Sequence, residues 1–264
     1  MNGATDRPGL TLACCGLLGT LVADPGIIER SFAEAIATQG VVAGTSAFAR
    51  RMAQVHQARG QAPGDVMGML FPENEARAQA AQLAFDRALP DAIGRSVMRP
   101  LPGASEVLDG LRAAGCQVCV VSSMPRRVLD LALDAAGLRH RVDLTLAAED
   151  APRGFPAPDL VLTAIMRTGI GAVQDVAVVH GTGAGVEAGR RSGVGVVVGV
   201  LTGPHSPARL RAAGATSILP SIADLPALLG DGVAAPAAPV APAPDSTGLT
   251  VPAQSAQHPR TLGR

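Results

Sequence analysis

The stretch QVCVVSSMPRRVLDLALDAAGL, residues 117–138, decides the fold. It opens on a continuous apolar run, turns through Ser122, Ser123 and Met124, and goes on as an amphipathic helix. Pro125 falls in the first turn of that helix, where a missing N–H costs least, and Gly137 follows its end as a C-cap. A short buried strand feeding directly into a helix is one unit of a parallel α/β sheet.

The same unit recurs outward in both directions. Strands are predicted over 12–17, 117–122, 143–148, 176–180 and 195–201, and helices over 105–114, 125–136, 158–168 and 183–192. Pro158 again falls in a first turn. A short unit, 217–219 followed by 222–229, closes the series. The interval from about Pro25 to Pro100 breaks the alternation, since only helical spacing is found there: Ile28, Phe32 and Ile36, then Phe48, Met52 and Val55, then Leu83 and Ala84. The expected organisation is an α/β core over 10–25 and 101–229 with a helical cap inserted over 26–100. Residues 230–264 are rich in Ala and Pro, cannot bury a core, and are expected to form a disordered tail.

Composition excludes several classes of function. The 264 residues carry no net charge and no basic stripe, so no nucleic acid partner is expected. No apolar stretch reaches the roughly 20 residues that span a bilayer, and the start lacks the pattern of a signal peptide. A protein that binds no membrane and stays in the cytoplasm is the default reading. The chain contains no lysine, so neither a lysine Schiff base nor a lysine phosphate clamp is available. Cys14, Cys15, Cys116 and Cys119 lie in apolar strand-like runs and read as core residues. Cys116 and Cys119 have zinc-like spacing, but on a strand their thiols face opposite sides.

Ligands of open α/β sheets bind at the carboxyl ends of the strands, where strand order reverses. Those ends here are Gly16–Thr20, Ser122–Pro125 and His180–Gly185, with a further loop over 153–159. The phrases VVSSMPRRVLDLALDAAGL, PAPDLVLTAI and VAVV…GT…EAGRRSGV, in this order, resemble the haloacid dehalogenase superfamily of phosphohydrolases. GTLVADPGIIERSF, the helical interval and GVLTG…L…AGAT are most similar to its phosphonatase-like branch. The resemblance covers residues 10–229 and implies a Rossmann-like parallel sheet, helices on both faces, and an α-helical cap.

The family's chemistry, carried onto this sequence, does not fit it. The resemblance places the family's nucleophilic Asp at Gly16, its general acid at Leu18, its cation at Phe155, and its two metal-binding acids at Gly181 and Gly185. The Schiff-base lysine of phosphonate-cleaving relatives falls near Pro63. Of the polar framework Gly19, Thr20, Ser122 and Thr182 remain. No catalytic residue is therefore assigned, and the family's Mg²⁺ site is predicted lost, because hard Mg²⁺ needs oxygen ligands that glycines do not supply.

Other residues could still bind an anion: the amides of Gly19 and Thr20, the hydroxyls of Ser122 and Thr182, the guanidiniums of Arg126 and Arg153, and His180. For the two arginines a solvated surface position is the favoured reading, and for His180 a bond to loop backbone. A Ser122–His180 nucleophile–base pair lacks an obvious acid to orient the ring. Cys15 should face away from Gly16, and Cys14, on its side, lies deeper; both read as packing. The leading function is a non-catalytic member that binds a small anionic ligand or a protein partner in a regulatory or scaffolding role. Two alternatives stand beside it: a phosphatase or other small-substrate hydrolase with non-standard residues, and a structural subunit pairing through the cap or tail.

Overall fold

The computed structural model describes residues 9–230. The expected disordered tail therefore lies, but for Gly230, outside the described residues. In chain order the elements are β1 (Leu12–Cys15), α1 (Ile27–Thr38), α2 (Ser46–Gln57), α3 (Pro63–Leu70), α4 (Glu75–Gly94), α5 (Ala104–Ala113), β2 (Gln117–Val121) and α6 (Arg126–Ala135). They continue as β3 (Leu144–Leu146), α7 (Asp159–Thr168), β4 (Val176–His180), α8 (Gly183–Ser192), β5 (Val196–Val200), α9 (Pro207–Ala212), β6 (Ser217–Leu219) and α10 (Leu225–Leu229). No helix among the described residues is long and apolar enough to cross a membrane.

The six strands form one parallel sheet in the order β3-β2-β1-β4-β5-β6. Strand order reverses at β1, which runs between β2 and β4. The sheet is covered on both faces, so its central strands are buried throughout and read as unbroken apolar runs. Alternation across the sheet separates Cys15 and Cys116 from Cys14 and Cys119, which pack in different core clusters. All four are buried free thiols, and burial pushes the Cys116 thiol up to about 12.

Between β1 and α5 the chain is helical, and it leaves and returns through one short pairing. Ala23 donates to the Arg99 carbonyl and Leu101 to the Leu21 carbonyl, across the bridge of Val22 with Pro100. Local capping fixes the helix starts. Asp24 Oδ1 accepts from the Gly26 and Ile27 amides, Thr45 Oγ1 from Phe48, and Asn74 Oδ1 from Arg77. The rings of Phe32 and Phe85 join α1 to α4 with centroids 4.3 Å apart.

Several details differ from the sequence reading. Pro125 and Pro158 are N-cap residues, one position before the first turn, because α6 and α7 begin at Arg126 and Asp159. Helices α3 and α9 had no counterpart among the expected elements, being short and rich in Gly, Pro or Arg. Leu83 is 59% exposed, because α4 buries the stripe through Ala78, Ala81, Phe85 and Leu89 instead.

Candidate functional site

The loops after β1, β2 and β4 meet at the carboxyl edge of the sheet, as reversal of strand order at β1 requires. Gly16 extends the sheet by one bond, donating to the Val179 carbonyl at 2.9 Å. The chain then turns tightly. The Gly19 amide donates to the Val22 carbonyl at 2.7 Å and the Thr20 amide to the Leu17 carbonyl at 3.1 Å. Thr20 is buried, and its hydroxyl accepts from the Gly181 amide, tying the β1 loop to the β4 loop.

His180 occupies the centre of this edge. It is buried, and its Nδ1 accepts from the Thr182 amide at 3.1 Å, with Thr182 Oγ1 at 3.0 Å. Those partners assign the neutral ring with its proton on Nε2. The Phe155 ring packs edge to face on it, centroids 5.4 Å apart, and the Phe155 amide donates to Ser123 Oγ at 2.8 Å. The imidazole fills the space in front of two glycines. A Cβ on Gly16 would lie 2.7 Å from His180 Nε2 and Cδ2, and one on Gly185 would lie 2.2 Å from its Cγ and Cδ2. Any side chain at either position needs the ring to move.

Burial, and secondarily the neighbouring His205, depress the His180 pKa to about 4. Its folded value thus lies below the ordinary histidine value near 6.5. The neutral ring contributes stability that is complete above that ordinary value and is lost as pH falls through the folded one. The contribution is on the order of 3 kcal/mol. Urea denaturation from neutral pH down to about pH 4 should show it as a steep loss of stability that flattens in His180→Gln.

The residual cavity beside the ring has a volume of about 40 Å³. Leu17, Leu18, Met124 and Phe155 line it with Ser122, His180 and Thr182, and Ile28, Arg59 and Gly60 close it from the helical side. Gly60 has a φ of +94°, and a Cβ there would overlap Thr182 Oγ1 at 2.2 Å, so only glycine allows this contact.

Of the residues that the sequence singled out, Gly16, Leu18, Gly19, Thr20, Ser122, Phe155, His180, Gly181, Thr182 and Gly185 come together at this edge. The backbone amides of Gly19, Thr20, Gly181, Thr182 and Gly185, however, all donate within these loops. The Gly19 and Thr20 amides, expected to be available to an anion, are both spent inside the β1 loop, because the tight turn supplies carbonyls for them. Ser122 Oγ accepts from the Met124 amide at 3.1 Å and forms no bond to His180. Arg126 turns away to β3, donating to Thr145 Oγ1 at 2.7 Å and pairing with Asp150. Arg153 is 69% exposed and forms a two-pronged pair with Asp159. Neither guanidinium lines the cavity, since each has a carboxylate nearer to hand.

Arg59 is not among the residues that the sequence singled out. It is 4% exposed, pairs with Asp24 at 2.6 Å and with Glu29, and its Nε has no hydrogen-bond partner among the described residues. Nothing in the sequence distinguishes it from the other arginines, because its partners lie 35 and 30 positions earlier. The residues do not fit the Mg²⁺ of the wider family. Glycines stand at 16, 181 and 185, His180 fills the space before two of them, and Arg59 holds the carboxylates of Asp24 and Glu29. No group of three or more metal-ligating side chains occurs among the described residues.

A six-stranded parallel sheet, a helical interval after its first strand, and a loop cluster at the reversal of strand order together define the class. The chain belongs to the haloacid dehalogenase-like hydrolase family, whose pattern matches residues 19–193. Its relatives include the phosphonoacetaldehyde hydrolase of Bordetella pertussis, 30% identical over an alignment of 174 positions that covers 56% of this chain and 62% of the relative. The phosphonoacetaldehyde hydrolase of Pseudomonas putida is 34% identical over 104 residues, 39% of this chain and 38% of that one. The matches thus span less than two thirds of these relatives' length. Among solved structures, a phosphonoacetaldehyde hydrolase-like protein from Oleispira antarctica superposes with a TM-score of 0.75 at 21% identity, over 86% of this chain and 93% of that one. A hydrolase from Pseudomonas syringae gives 0.71 at 23% identity, over 81% and 95%. These likenesses establish the fold.

Proposed function

We propose that this chain is a non-catalytic member of its family, with a core over 10–25 and 101–229 and a cap over 26–100, and that it acts by binding a partner in a regulatory or scaffolding role. The observation that carries the reading is the position of His180, whose ring stands where side chains at 16 and 185 would project. A nucleophile at 16 and an acid at 185 are what the family resemblance calls for, and the ring excludes both at once. Without a carboxylate there is no aspartyl-phosphate, and without acids there is no hold on Mg²⁺. Carbon–phosphorus cleavage through a lysine Schiff base, the chemistry suggested by the likeness to phosphonoacetaldehyde hydrolases, has no lysine to use.

The non-standard hydrolase reading rests on Ser122 and His180. Ser122 Oγ is bonded to Met124, and the ring is held by Thr182 rather than by a carboxylate, so neither is arranged as an activated nucleophile or its base. Hydrolysis of a generic aryl phosphate, with and without Mg²⁺, tests the proposal. The uncatalysed rate is expected in both cases.

A further inference from the structure

The loop after β5 carries a second buried imidazole, outside the cavity at His180. His205 is 5% exposed. Its Nδ1 accepts from the Gly183 amide at 2.7 Å, at the start of α8, and its Nε2–H donates to the His56 carbonyl at 3.0 Å, in the last turn of α2. Only the neutral ring with its proton on Nε2 satisfies both bonds. Beside it Arg209 donates to the Gln57 carbonyl at 2.8 Å. The last carbonyls of an α-helix find no partner within the helix, and two of those on α2 are capped here by side chains of the α/β core. These bonds fasten the helical interval to the core.

We propose that His205 is a pH-sensitive latch, which holds the end of α2 on the core while neutral and releases it when the imidazole takes up a second proton. A doubly protonated ring donates from both nitrogens. Its Nδ1–H then opposes the Gly183 N–H, and that bond is lost. The added charge also meets cations. The titratable and charged groups facing the ring are His56 on α2, edge to face at 6.0 Å, Arg59 just beyond α2, Arg209 on α9 and His180 at the end of β4. Burial is the largest cause holding the His205 pKa below its ordinary value, with Arg209, His56 and Arg59 acting the same way against the bond to the His56 carbonyl. The docked state therefore favours the neutral ring, and docking weakens as pH falls through the lowered value.

The test places nitroxide labels on the full chain at Gln54→Cys on α2 and Arg211→Cys on α9, both at exposed positions. The four native cysteines are buried and leave labelling to the introduced pair. Dipolar distances are read between about pH 7.5 and about pH 4.5, with histidine proton NMR identifying which ring titrates. One distance is expected at the neutral end. Below it a longer-distance population should grow, by up to about tenfold per pH unit, in step with His205 and not with His180. In His205→Asn, which keeps an acceptor and loses the titration, the distances should not respond to pH. If that variant fails to fold, the coincidence of distance change and His205 titration in the wild type carries the test. A single wild-type distance that persists to global unfolding, or an acid transition that survives in His205→Asn, overturns the latch.

Discussion

Gly185→Ala is expected to destabilise the protein by about 2–3 kcal/mol, although the same change in an open helix would stabilise it by about 1 kcal/mol. The new Cβ would lie 2.2 Å from the His180 ring, and the ring cannot step aside cheaply. Phe155 packs on it edge to face, and Thr182 holds its Nδ1. Gly16→Ala should act in the same direction, with three ring atoms within 2.9 Å of its Cβ. Both penalties share one cause, so they should fall away together when the ring is removed. In a His180→Ala background, Gly185→Ala should be neutral or stabilising. The double-mutant cycle should then give a coupling of about 2 kcal/mol or more, measured by urea denaturation at neutral pH. Additive effects would show that the ring does not fill that space.

Arg59→Ala is expected to cost about 3 kcal/mol, because it strands the two carboxylates that the buried guanidinium holds. Asp24 is the more exposed to this loss, being 9% accessible, although its Oδ1 keeps the amides of Gly26 and Ile27. Adding Asp24→Asn should return part of the loss, since a neutral amide can still cap α1. Chemical denaturation of the two variants checks both statements. A negligible cost for Arg59→Ala would mean that the cluster is solvated and that Arg59 does not close the cavity.

Elements of the α/β core were legible where a local signal exists. β4 and α8 lie over the residues expected, because a fully buried parallel strand is an unbroken apolar run and Thr182 caps the following helix. The short helices α3 and α9 were not legible, since their few turns hold too little apolar periodicity to stand out. At the site, the sequence named the loops that converge at the carboxyl edge, because strand ends and the reversal of strand order follow from the pattern of units. It did not reveal where donors point. The Gly19 and Thr20 amides look available in one dimension and are consumed by a turn in three. Arg59 beside the cavity and His205 outside it were not legible, because their contacts depend on how the helical interval packs on the core. His180 was read as bonded to loop backbone, and it is. What the sequence did not disclose is that its ring faces Gly16 and Gly185.

On the reading proposed above, His180 has taken the room of the family's reacting groups. Steady-state phosphate release from a panel of small phosphate esters, with Mg²⁺ present, tests it most directly. The wild type is expected to match a Ser122→Ala control, and Gly16→Asp alone should not create activity, because its carboxylate would meet the ring and find neither metal nor cation. Turnover that survives repurification and falls sharply in His180→Ala or Ser122→Ala would contradict the claim and establish a rerouted hydrolase.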